Sequence, residues 1–219
     1  MKPDSRPHTP LTKLEYPKRQ MFSASTQHGR YSARALAVRG QVVDLTAGLR
    51  AAAEDIVARM PELGHIDLER VHFAVFYSRH AKRILTFARC YPLPSGLRKR
   101  GRYYYRLEPV VTEHGKKAKY IVAFAWERFW GLSPRDRLET LVHELFHIAP
   151  SFDGGLRQFG DKVHGRGRDW FDTIIYALCE LYLPHGLELE YEALALELKP
   201  GLEVTFDKLK PPRWLVENS

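Results

Sequence analysis

The sequence predicts an α+β fold, an antiparallel sheet of three or four strands with amphipathic helices before and after it, and three observations point there. β-rich runs cluster in the middle of the chain, between residues 71 and 125. Helical periods lie before and after them, so the order along the chain is helix, sheet, helix, loop, helix. The composition, 44% hydrophobic and 12% aromatic over 219 residues, suffices for one sizeable core without disulfide staples, which excludes wholesale disorder and favours one domain with extensions.

Residues 1–30 contain Pro3, Pro7, Pro10 and Pro17 and six Lys or Arg against two acids, with no sustained apolar period, and read as a basic flexible N-terminal arm. The folded domain is expected over 31–185. Within 32–60, Leu36, Val38, Val42, Val43, Leu45, Leu49, Ile56 and Val57 recur among Ala and Arg ahead of Pro61, which suits one or two packing helices. The segments 71–77, 84–88, 102–111 and 119–125 are then rich in β-branched and aromatic residues, with turns at Ser95-Gly96 and His114-Gly115, and give three or four antiparallel strands.

Ser133-Pro134-Arg135-Asp136 starts the next helix, with Ser as N-cap, Pro in the first turn and an acid three residues after the cap. Pro150 closes it. Leu138, Leu141, Val142, Leu145 and Ile148 share the face it turns to the core, and Asp136, Glu139, Thr140, His143, Glu144 and His147 occupy the other. A glycine-rich loop over 153–167 leads to a second amphipathic helix built on Trp170, Phe171, Ile174, Ile175, Leu178 and Leu181. Residues 186–219 mix acids with Leu as far as Phe206, reach Pro211-Pro212, and form a C-terminal extension without an assigned role.

Thirty-four Lys and Arg against 26 Asp and Glu leave a net charge of +8 and a pI near 9.5, which suits acidic partners such as nucleic acid. Cys90 and Cys179 make no disulfide framework and no Cys-x-x-Cys pair, as expected of two inert thiols in a reducing compartment. No apolar run resembles a signal peptide or a membrane span, so the expectation is a cytoplasmic protein with no membrane partner.

The informative pentad is His143-Glu144-Leu145-Phe146-His147. On an α-helix, residues four apart lie about 40° apart in azimuth and one turn along the axis, so both imidazoles can converge on one ion while Glu144 is offset towards the open side. That pattern suits zinc, which takes imidazole nitrogen readily and, in a catalytic site, keeps one position for water. Glu144 can then take a proton from the water and later deliver it to a leaving amine. With ten His and sixteen Glu in the chain, the pattern is expected by chance about 0.03 times, and its place on a capped helix with an apolar back face lowers the chance reading further.

One more protein ligand must come from elsewhere, and the candidates are His164, Asp153, Asp161 and Glu180. His164 is favoured, because the glycines after it make a loosened turn at the mouth of the next helix from which its side chain can swing back. Asp153 follows His147 by six residues and is the first alternative; Glu180 would place the ligand deep in the second helix. His65, His72, His80 and His114 receive no role.

The run His-Glu-Leu-Phe-His-Ile-Ala-Pro, followed by Gly155-Leu156-Arg157, His164 and Asp169-Trp170-Phe171, resembles the phage-type metallopeptidases, zincins related in pattern to the SprT-like proteases. The resemblance covers residues 118–183. It implies a zincin-like metallopeptidase domain over 31–185 with a short antiparallel sheet packed on the active-site helix and further helices, one Zn²⁺ per chain held by His143, His147 and His164, Glu144 as catalytic base, and a protein or peptide substrate. SprT-like proteins often carry a Cys-rich zinc ribbon after this domain, and here Cys179 is the last cysteine. The strand over 120–125, just before the active-site helix, is expected to border the cleft, where an extended peptide can add by main-chain hydrogen bonds.

Arg98-Lys99-Arg100-Gly101-Arg102-Tyr103-Tyr104-Tyr105-Arg106 combines five cations with three tyrosines, the composition of a surface that tracks phosphates and stacks bases. Three readings follow. The chain is a zinc-dependent peptidase, or a nucleic-acid-associated module whose zinc site is structural or degenerate and whose basic arm does the binding, or a hybrid, a SprT-like protease brought to its substrates by DNA; Glu144 favours catalysis, since a structural two-histidine site has no use for a carboxylate there.

Overall fold

The computed structural model of the protein describes residues 42–77, 86–100, 102–199, 203–210 and 213–217. The expected basic arm, the start of the first helical segment (32–41) and Ile84 and Leu85 of the second expected strand lie outside these residues.

A two-residue strand, β1 (Val43–Asp44), leads into α1 (Leu45–Arg59), whose first turn is capped by Asp44: its carboxylate accepts from the backbone N–H groups of Thr46 and Ala47, both at 3.0 Å. Leu45, Leu49, Ala52, Ala53 and Ile56, three and four residues apart, form the buried stripe. Five strands follow: β2 (Val71–Phe76), β3 (Ala88–Pro92), β4 (Leu97–Arg100), β5 (Tyr103–Leu107) and β6 (Tyr120–Ala125). The two expected helices are α2 (Pro134–Phe146) and α3 (Arg168–Tyr182). The short α4 (Glu192–Ala195), β7 (Val204–Thr205) and β8 (Trp214–Glu217) complete the order.

The strands form three small sheets instead of one antiparallel sheet. In the central one, ordered β2-β6-β3, β3 runs antiparallel to β6 but β2 runs parallel to it, Val71 pairing with Tyr120 and Phe76 with Ala125. Alternation reports which side chains are buried and carries no information on the direction of a neighbour, and the excursion through β3, β4 and β5 returns the chain to the end from which β2 started. β6 is buried on both faces, as its unbroken apolar run requires. Tyr120, Val122 and Phe124 join the main core with the helices, while Ile121 and Ala123 join a smaller cluster with Ala74, Leu93 and Leu107. β1 and β7 make a two-residue parallel ladder, and β4-β5-β8 form a separate antiparallel sheet.

The segment beyond residue 185 is woven into the main core, where Leu187, Ala193, Leu194, Leu196 and Val204 are buried. Arg137, one turn into α2, holds it there: its buried guanidinium donates to the carbonyls of Leu194 (2.5 Å), Leu196 (2.6 Å) and Trp130 (2.6 Å). Burial without a carboxylate partner pulls the Arg137 pKa down to about 10. Trp130 adds a bond from its indole N–H to the carbonyl of Ala193 at 2.9 Å. These contacts fix the N-terminal end of α2, and with it the direction in which the histidines at its other end point.

Candidate metal centre

α2 begins as its sequence dictates. The Ser133 hydroxyl accepts from the Asp136 backbone N–H at 3.2 Å and donates to the Asp136 carboxylate at 2.7 Å, with Pro134 in the first turn. Leu138, Leu141, Val142, Leu145 and Ile148 are fully buried. The helix ends at Phe146, four residues before Pro150, and His147 is its C-cap; because its backbone is still right-handed (φ −67°, ψ −19°), it keeps its one-turn relation to His143.

The loop after α2 folds back on the end of that helix. The Arg157 backbone N–H donates to the His147 carbonyl at 2.7 Å and its guanidinium to the Phe146 carbonyl at 2.8 Å, which satisfies carbonyls that a helix terminus leaves without partners. The same guanidinium lies 4.0 Å over the Phe146 ring. Gly154, at φ +87°, brings the loop so close to β3's continuation that a Cβ there would lie 2.8 Å from the Leu93 carbonyl. Gly165 has φ +54°, and a Cβ on it would lie 2.5 Å from the Trp170 ring. The glycine after His164 therefore serves a tight fit and a left-handed backbone, not a loosened turn.

This path delivers His164 to the two helix histidines. One ligand atom from each of His143, His147 and His164 lies within 4.8 Å of the others, near enough for side-chain rotation to gather three nitrogens about one ion at N–metal distances of about 2.0–2.1 Å. Phe171 of α3, fully buried, contacts all three rings, with centroids 4.8, 4.8 and 5.0 Å from those of His143, His147 and His164. The His143 Nδ1 lies 3.0 Å from an Asp172 carboxylate oxygen, which leaves Nε2 of that ring for a metal. Burial opposes ionisation of Asp172, yet the bond from His143 holds its carboxyl below the usual range.

His147 is 7% exposed, and burial, reinforced by the neighbouring His143 and His164, lowers its pKa to about 3. It is a neutral imidazole, the form that binds metal, and among the described residues its buried Nδ1 has no hydrogen-bond partner. Burial lowers the His164 pKa as well. An all-imidazole set with a carboxylate behind one ring fits zinc.

Glu144 departs from the expectation that it faces open solvent. It is 6% exposed, lies against β3 and accepts a hydrogen bond from the Cys90 backbone N–H; burial, against the pull of His143, pushes its pKa up to about 7. It still borders an open cleft of about 830 Å³, together with the three histidines, Asp172 and Arg168. Ala88, Arg89 and Cys90 of β3 line the same cleft. The strand over 120–125 does not border this cleft: β6 is paired on both sides, whereas among the described residues no strand pairs with the outer edge of β3. A sequence strand next to the helix in the chain need not lie next to it at the sheet edge.

The other candidate ligands lie apart from the histidines. Asp153 accepts from the Gly155 N–H at 2.8 Å, Asp161 is exposed, and Glu180 pairs with Arg135 at 2.8 Å and His185 at 3.2 Å. Arg98, Lys99, Arg100, Arg102 and Arg106 are exposed on the β4–β5 hairpin and line no part of the cleft. Sequence reasoning did not single out Asp172, Phe171 as a platform, or Arg157. The signal for Asp172 was the need for a carboxylate behind a metal-binding imidazole, but Asp169 and Asp172 both follow His164, and only the packing of α3 on α2 chooses between them.

A family model described as "Putative phage metallopeptidase" matches residues 45–195, from the first residue of α1 to the last of α4. No curated protein and no solved structure matches the chain.

Proposed function

The chain belongs to the phage metallopeptidase family, and from that premise we propose that it is a zinc-dependent endopeptidase with a zincin-like active site. His143, His147 and His164 hold the ion, and Asp172 keeps His143 in the tautomer that offers Nε2. A zinc ion bound there supplies a Lewis acid for a peptide carbonyl and lowers the pKa of water to about 7. Glu144, at the same opening, would serve as the proton carrier, accepting a proton from water and delivering it to a leaving amine.

The observation that carries this reading is the shared opening: three imidazoles and a buried carboxylate border one cleft that an edge strand of the sheet also lines. An extended peptide can pair with the outer edge of β3, the strand whose Cys90 N–H meets Glu144, which brings its carbonyl groups to the opening that the histidines border. A merely structural zinc would leave that buried carboxylate without a purpose. The two cysteines are unpaired thiols, which suits the cytoplasm, and among the described residues no helix is long and apolar enough to cross a membrane.

The test is metal analysis of the purified protein with a casein cleavage assay. About one zinc per chain is expected, with cleavage lost on chelation and restored by zinc. Protein without metal, or cleavage indifferent to chelator, would overturn the reading.

A further inference from the structure

The β4-β5-β8 sheet stands apart from the metal centre, and neither the fold nor the proposed reaction explains its surface. Cross-strand partners share a face, so the register Arg98↔Tyr105, Arg100↔Tyr103 and Leu107↔Trp214 places Arg98, Arg100, Tyr103, Tyr105 and Trp214 on one side. The rings are not core: Tyr103 is 44% and Trp214 45% exposed. Arg98 lies 5.3 Å over the Trp214 ring, and Arg102, in the turn, 5.0 Å over Tyr103. Among the described residues no carboxylate pairs with Arg98, Arg100 or Arg102, and no acid occurs between Leu97 and Leu107.

We propose that this face binds single-stranded nucleic acid. Unpaired guanidinium groups interleaved with exposed rings match a strand that offers a phosphate and a base face at each step. An acidic protein surface would use the cations and leave the rings idle. A duplex would use them too, but its bases are stacked on one another and hide their faces. The tyrosine hydroxyls and the guanidinium groups can meet a ribose 2′-hydroxyl as well as do without one, so the chemistry read here is that of a single strand, DNA or RNA. The sheet continues directly from β3 through the short connection 93–96, so a strand bound there is joined to the wall of the cleft by four residues of chain. The binding itself does not depend on the metal centre.

The experiment titrates the full chain into a labelled oligothymidylate of roughly 20 nucleotides at rising salt and follows fluorescence anisotropy. Binding at about 50 mM salt that weakens as salt rises is expected. The triple substitution Arg98→Ala, Arg100→Ala, Arg102→Ala should weaken it more than tenfold and lower the slope of log K against log salt by about 2, at 0.7 per lost phosphate contact. Tyr103→Ala and Trp214→Ala should each weaken it about fivefold to tenfold at unchanged charge, while Tyr103→Phe, which keeps the ring, should bind as wild type does. All these side chains are exposed, and an unchanged thermal melt verifies the fold. No binding at about 50 mM salt, or a triple variant that binds like wild type, refutes the proposal. So does tighter binding of a duplex, or full competition by a polyglutamate of equal charge; the same sequence as RNA, titrated beside it, separates the two sources of a single strand.

Discussion

The helix end of the candidate metal centre and its loop end are built by different means. His143 and His147 are placed by α2 itself: one turn of regular backbone, a capped start, and Arg137 anchoring the far end to three carbonyls. His164 is placed by a loop with no regular backbone of its own, through Arg157 bonded to the end of α2, Gly165 under Trp170, and the Phe171 platform. A helix supplies geometry from local hydrogen bonds alone, whereas the loop borrows it from the packing of α3 on α2. The helix pair should therefore survive perturbations that displace His164.

That difference can be broken at several points. The largest effect is expected from His143→Ala with His147→Ala, which should abolish both zinc binding and cleavage; full metal occupancy in the double variant would remove the site assignment. His164→Ala should leave weak residual zinc binding on the helix pair and no activity, while Asp153→Ala stays close to wild type, as metal titration of the two variants will show. Should both be tolerated equally, the third ligand lies elsewhere.

Gly165→Ala sharpens the comparison without touching a ligand. A left-handed backbone and a Cβ set 2.5 Å from the Trp170 ring should destabilise the protein by about 1–3 kcal/mol and weaken zinc binding, leaving the α2 signal in circular dichroism intact. Unchanged affinity would show that the loop does not position His164 in this way. Asp172→Ala should weaken zinc about 10- to 100-fold through loss of the bond to His143 Nδ1. Competition with a chromophoric chelator reads this directly, and an affinity equal to wild type would deny Asp172 its positioning role.

The smallest effect concerns stability and pH. Glu144 in the metal-free protein has a folded pKa of about 7 against a reference of 4.5, so the unfolded chain releases that proton first as pH rises. Its protonated form supports the fold below pH of about 4.5, and that contribution is lost as pH rises through about 7. Glu144→Gln, neutral throughout, should therefore be more stable than wild type at pH of about 8, by an amount on the order of 1–3 kcal/mol, and equal to it near pH 4. Chemical denaturation in chelator at both pH values measures the difference, and equal stability at pH 8 would mean that Glu144 is not buried as described.

The division between helix and loop also explains what could be read in the sequence. Local rules were enough for α2, since Ser133, Pro134 and Asp136 cap it and the apolar residues at three- and four-residue spacing fix which face is buried. They were enough to see that the β-rich runs at 71–77 and 119–125 are strands. They could not show that β2 runs parallel to β6, that β3 and not β6 forms the cleft wall, or that Glu144 is covered by that wall, because each depends on which segments meet in space. Arg137 is the clearest case: between Asp136 and Leu138 it reads as a surface charge, and only the return of the chain at Leu194 and Leu196 makes it a buried tether.

The central claim is that the centre holds zinc for catalysis, with Glu144 as the proton carrier, and one paired measurement tests it most directly. Zinc content and the rate of casein cleavage are compared for wild type and Glu144→Gln, with His143→Ala as the control for contaminating protease. Glu144→Gln should carry about one zinc per chain and lose cleavage on the order of 10²- to 10⁴-fold, the usual effect of removing a general base. Zinc-loaded Glu144→Gln that cleaves as fast as wild type, beside an inert His143→Ala control, would contradict the account.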